Sequence, residues 1–134
     1  MARTDALTET LKGVHVLVVD DDRDSLEILR TILGYFGALT SEARSAAAAV
    51  ATLRRVLPDV IVIDLLMPQR DGLSLVRELR ATPGTAHIPA VALTGHSDVQ
   101  PRAIALNAGF DAYMTKPVDP MALCRLLGEL AGRP

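Results

Sequence analysis

Val60-Ile61-Val62-Ile63-Asp64 runs directly into Leu65-Leu66-Met67-Pro68-Gln69-Arg70-Asp71-Gly72. Four β-formers without a polar break read as a strand buried on both faces, the kind found in parallel sheets covered by helices. Pro68 and the Asp71-Gly72 pair are turn signals that follow it. In an open parallel sheet, ligands bind outside the carboxyl ends of the strands. Asp64 stands at such an end. Taken alone, a turn or cap role is the commoner one for an Asp after a strand, so the rest of the chain decides.

Two more apolar runs have the same character. Residues 14–19 end on Asp20-Asp21-Asp22, and residues 88–93 end on Thr94. Residues 38–43 and 111–115 are shorter, weaker strands, the latter followed by Lys116-Pro117. Between these runs the period changes. Leu26, Leu29, Ile32, Leu33 and Phe36 recur at helical spacing after Asp24, which with Glu27 resembles a capping box, and Gly37 can stop that helix. Ser45 precedes an Ala-rich helix over 46–57, with Val50, Leu53 and Leu57 on one side and Pro58 closing it. Arg54 and Arg55 fall near its negative end. A short helix over 73–80 carries Leu75, Val76 and Leu79, and Thr82-Pro83-Gly84 breaks it. Residues 95–100 read as a loop, and Pro101 suits the first turn of a helix that Gly109 ends. Asp119 and Pro120 open a last helix bearing Leu123, Leu126, Leu127 and Leu130. Five strands alternating with five helices give an α/β fold with a parallel sheet and helices on both faces. Right-handed crossovers and the small size favour the flavodoxin-like order 2-1-3-4-5.

The chain of 134 residues is the size of one domain. Its 49% hydrophobic and 22% charged residues suit a packed core and argue against disorder. Aromatics make up only 3%, so that core is aliphatic. A net charge of -2, spread along the chain, leaves no basic stripe for nucleic acid. One cysteine, Cys124, excludes an intrachain disulfide and fits a reducing compartment. No apolar run approaches membrane-spanning length, and no signal-peptide core precedes the first strand. The expectation is a cytoplasmic protein with a flexible N-terminal extension over 1–12 and one domain over 13–134.

In the order 2-1-3-4-5, strands one, three, four and five are neighbours. Asp20, Asp21, Asp64, Thr94 and Lys116 then meet on one rim. Crowded carboxylates disfavour one another's ionisation unless a cation offsets them. Lys116 supplies one positive charge, and Mg²⁺, which prefers a few carboxylates plus phosphate oxygens, would supply more. Thr94 can donate to a phosphoryl oxygen. Asp64, in the middle, can act as a nucleophile that becomes an acyl phosphate. Phosphoryl transfer needs little beyond such positioning and charge compensation.

This set resembles the receiver domain of two-component response regulators, typified by the chemotaxis response regulator. The matching pieces are V-L-V-V-D-D ending at Asp21, V-I-V-I-D-L-L-M-P-Q-R-D-G from Val60, A-L-T-G from Ala92 and Y-M-T-K-P from Tyr113. The resemblance implies that Asp64 is the phosphoacceptor. It implies that Asp21, Asp64 and the Leu66 backbone carbonyl ligate Mg²⁺, with Asp20 acting through a bound water. Thr94 and Lys116 would hold the phosphoryl group, and Tyr113 would be the switch aromatic. Lys116-Pro117 would be cis. Asp22 matches no ligand and reads as exposed or capping. Leu66 and His96 occupy positions that tune phosphoryl hydrolysis; apolar Leu66 predicts a longer-lived phosphoryl state, and His96 reads first as a loop residue.

The implied function is a signalling switch that catalyses only its own phosphorylation and dephosphorylation. Its partners would be a histidine kinase or histidine phosphotransfer protein and a downstream protein target. Neither nucleic acid nor membrane is expected as a partner, and the oligomeric state would be monomer or weak dimer. The segments around Thr94-Gly95-His96 and Lys116-Pro117-Val118 look more like stand-alone or hybrid-kinase receivers, with no output domain. Two rivals differ in class. An aspartyl-phosphate hydrolase of the haloacid dehalogenase type would use Asp20-x-Asp22, but leaves Asp64 and Thr94 unexplained. A degenerate receiver used only for docking would not need the complete site.

Overall fold

The computed structural model describes residues 9–65, 72–95 and 102–132. Five parallel strands, β1 (His15–Val19), β2 (Leu39–Ala43), β3 (Val60–Asp64), β4 (Ala90–Thr94) and β5 (Ala112–Thr115), form one sheet in the order β2-β1-β3-β4-β5. The helices between and after them are α1 (Arg23–Tyr35), α2 (Ala46–Leu53), α3 (Gly72–Ala81), α4 (Arg102–Ala108) and α5 (Pro120–Leu130). The expected α/β fold and strand order are both present.

The strand period of two sorts the core into two layers. Leu17, Val19, Ile61, Ile63, Ala90 and Ala92 face α2, α3 and α4. Val16, Val18, Val60, Val62, Val91 and Leu93 face α1 and α5. Because both faces are covered, β3 and β4 are buried along their whole length, which is why their sequences show no alternation.

The structure departs from the expected boundaries in three places. The extension drawn over 1–12 overlaps the packed domain: Leu11 is fully buried in the α1–α5 layer, and its N–H donates to the Phe36 carbonyl at 2.8 Å. A single apolar residue in a polar stretch shows no period, so only the packing exposes its role. The cap of α1 is Asp22, not Asp24. Asp22 is extended, accepts the Asp24 N–H at 3.3 Å and the Ser25 hydroxyl at 3.0 Å, and leaves Asp24 in the first turn. α2 ends at Leu53 rather than 57, and Leu57 is 54% exposed. Pro58 disfavours helical backbone at the residue before it, and the Arg55 N–H already turns back to the Thr52 carbonyl at 3.0 Å. The other expected caps hold: Ser45 opens α2, and Asp119 with Pro120 opens α5.

Candidate functional site

Strand register builds the site. Val19 pairs with Ile63, so the residues that follow them, Asp20 and Asp64, leave adjacent strands at the same level. The Asp20 N–H donates to the Ala43 carbonyl at 3.0 Å, which holds the end of β1 against β2. Thr94 pairs with Thr115, and the Lys116 N–H donates to the Thr94 carbonyl at 2.7 Å. Every polar strand end among the described residues therefore opens on one rim.

On that rim, carboxylate oxygens of Asp20, Asp21 and Asp64 all lie within 4.8 Å of one another. Asp20 is only 1% exposed, and both its oxygens have partners. Oδ1 accepts the Asp22 N–H at 3.0 Å, and Oδ2 accepts the Lys116 ammonium at 3.1 Å. Lys116 is 29% exposed, so this ion pair is sheltered and joins residues 96 apart in sequence. Removing the lysine would leave a buried carboxylate uncompensated. Asp64 is buried and Asp21 half-buried. The oxygen donors are hard and close enough to share one hard divalent cation. That chemistry fits a metal site.

Thr94 is buried at the end of β4, its hydroxyl 3.4 Å from the Gly95 carbonyl. Tyr113 is half-buried and packs against the α2–α4 layer. Lys116-Pro117 is cis, as the resemblance implied. Asp22 is outside the cluster and serves α1. The Ser25 hydroxyl, chiefly, holds its carboxyl below the usual range. Leu66 and His96 lie outside the described residues. Beside Lys116, an apolar groove of about 390 Å³ runs between α1 and Pro117-Val118, with Ile28, 58% exposed, on its lip.

Two residues near the site carry no functional signal in the sequence. Gly72 reads there only as the end of a turn. In the structure, a Cβ at this position would sit 2.6 Å from the Asp64 carbonyl oxygen. The Gly72 N–H donates to the Leu65 carbonyl at 2.8 Å, so the start of α3 buttresses the Asp64 peptide. Arg44 follows β2 and donates to the Asp21 carbonyl at 3.4 Å. No local pattern marks it, because its neighbour is 23 residues away.

The chain is similar to several known proteins. An uncharacterised 14.6 kDa protein in the sodA1 3′ region of Leptolyngbya boryana is 42% identical over 121 residues, 90% of this chain and 92% of that protein. Response regulator MprA of Mycobacterium sp. (strain KMS) is 38% identical over 87% of this chain, which spans only 49% of MprA. The crystal structure of the receiver domain of sensor histidine kinase PA1611 from Pseudomonas aeruginosa PAO1 is similar with a TM-score of 0.82. It is 29% identical, covers 90% of this chain and 98% of that one, and has a magnesium ion coordinated in its active site cleft. Among the described residues no helix is long and apolar enough to cross a membrane. The response regulator receiver domain model matches residues 16–127, with the acidic rim, Thr94 and Lys116 all inside the match; the chain belongs to that family, which places it among the signalling switches of two-component systems and sets the hydrolase reading aside.

Proposed function

We propose that this domain accepts a phosphoryl group on Asp64 from the phosphohistidine of a histidine kinase or phosphotransfer protein. The observation that carries the reading is the convergence of Asp20, Asp21 and Asp64 within 4.8 Å, with Lys116 bonded to Asp20. Asp21, Asp64 and the Leu66 carbonyl would hold Mg²⁺, with Asp20 reaching it through water. When bound, Mg²⁺ would neutralise charge on the transferring phosphoryl group. An Asp64 carboxylate oxygen attacks phosphorus while the P–N bond to the donor imidazole breaks, and the leaving nitrogen keeps the electron pair. Lys116, at the mouth beside Asp20, neutralises a phosphoryl oxygen. The Thr94 hydroxyl donates to another, and that movement draws Tyr113 inward.

The α4, β5 and α5 surface would then read out the phosphoryl state, a two-state element biased by local charge and hydrogen bonding. The groove beside Lys116 would give the donor protein an apolar place to seat at the edge of the site. Leu66 and His96 would set hydrolysis, with Leu66 favouring a long-lived acyl phosphate. A stand-alone or hybrid-kinase setting in the cytoplasm suits this chemistry.

The test is intact-mass spectrometry after incubation with acetyl phosphate and Mg²⁺. One added phosphoryl group on the parent and none on Asp64→Asn is expected. Labelling that survives Asp64→Asn but disappears in Asp20→Asn would overturn the assignment.

A further inference from the structure

Arg44 brings a second cation to the backbone of Asp21, one of the residues of the acidic rim. β2 ends at Ala43, whose carbonyl holds the Asp20 N–H at 3.0 Å, and Ser45 caps α2, so residue 44 is pinned on both sides. Its guanidinium reaches the Asp21 carbonyl at 3.4 Å, next to a carboxylate of the cluster. The nearby Arg30 is paired with Glu42 at 3.5 Å. Among the described residues Arg44 has no carboxylate within ion-pair distance, and its one side-chain bond is to a backbone carbonyl. It lines a surface groove with Glu27 and Glu42 without an ion pair to either, so its charge is not cancelled by a direct partner. Lys116, by contrast, is bonded to Asp20.

We propose that Arg44 is a specificity-determining residue of the phosphoryl-acceptor site. It favours donors with highly charged phosphoryl groups and at the same time weakens the site's hold on a divalent cation. The inference rests on the reading of Asp64 as acceptor. The two effects have opposite signs because an arginine attracts an anion and repels a cation from the same position. Arg44 is exposed, so its field passes through water and is screened by salt. A unit charge within a Debye length of the ligand then shifts binding about two- to fivefold at low ionic strength.

Two titrations on the full chain test it. In the first, Mg²⁺ alone is added at low salt and backbone amide shifts near Asp20 and Asp21 are followed. Arg44→Ala should bind Mg²⁺ about two- to fivefold more tightly, Arg44→Glu more tightly still, and Arg44→Lys like the parent. In the second, Asp64 is phosphorylated at saturating Mg²⁺ by acetyl phosphate or by the less charged phosphoramidate. Half-saturating acetyl phosphate should rise about two- to fivefold in Arg44→Ala with the maximal rate unchanged, and phosphoramidate should be affected less. Both differences should shrink at high salt. Weaker Mg²⁺ binding in Arg44→Ala would mean that Arg44 merely positions Asp21, and would overturn the proposal. So would donor saturation that is the same in all variants. A parent protein that takes no phosphoryl group would instead defeat the acceptor reading, while the Mg²⁺ titration would still judge the charge effect.

Discussion

Cys124 shows what burial does to one side chain. It is fully enclosed in the α1–α5 layer with Leu11, Phe36 and Leu127. Desolvation pushes its thiol from 9.0 up to about 12. The folded chain keeps that proton through a range in which the unfolded chain loses it. Stability should therefore fall as pH climbs from about 9 towards 12. Denaturant midpoints across that range check it: Cys124→Ala should show a shallower alkaline decline than the parent, and equal slopes would refute it. The native thiol should also resist alkylation until the protein unfolds. Asp22 works in the opposite sense. Its lowered carboxyl pKa supports the α1 cap above the ordinary value of 3.8 and ceases to do so as pH falls.

Among the elements, α3 and α1 respond oppositely to one substitution. In Gly72→Ala, the new methyl would meet the Asp64 carbonyl at 2.6 Å, the Ile63 side chain at 2.9 Å and the Leu65 Cα at 3.0 Å. Backbone cannot yield as a flexible side chain can, so the expected cost is about 1–3 kcal/mol. Because the displaced peptide is that of Asp64, phosphorylation by acetyl phosphate should slow as well. Gly34 lies inside α1, exposed, and a methyl added there would meet nothing within 4 Å. Gly34→Ala should stabilise by about 0.5–1 kcal/mol through helix propensity alone. Urea midpoints of the two variants should move in opposite directions, with only Gly72→Ala losing phosphorylation rate.

For the whole molecule, the tie at the far end of the sheet is Arg80. It leaves the last turn of α3 and donates to the Gly109 carbonyl at 2.9 Å, the Ala86 carbonyl at 3.2 Å and the Ile88 carbonyl at 2.6 Å. It also pairs with Asp111 at 2.9 Å. The same Asp111 oxygen accepts the Ala90 N–H at 2.8 Å. One guanidinium thus joins the end of α3, the end of α4 and the starts of β4 and β5. Arg80→Ala should cost about 2 kcal/mol, since several acceptors lose a charged donor together. Arg80→Lys should recover only part, because an ammonium cannot reproduce the planar fork. Denaturant midpoints measure both. Acetyl phosphate should still label Asp64 in either variant, since Arg80 belongs to the opposite rim.

Local pattern was enough for the sheet, the two helical layers and the residues of the acidic rim. Four apolar residues before Asp64 announce a strand covered on both faces, and helical spacing from Leu26 to Phe36 announces α1, because periodicity is a property of neighbours in sequence. Strand order follows from size and crossover handedness, and with it Asp20, Asp64, Thr94 and Lys116 come to one edge. Tertiary structure alone decided the pairings. Lys116 bonds to Asp20 across 96 residues, Arg80 to Asp111 across 31, and Arg44 reaches Asp21 across 23. It also decided that Leu11 belongs to the core and that Gly72 must lack a side chain. Each of these depends on where a second segment lies once the sheet and helices have packed, which the residues on either side do not determine.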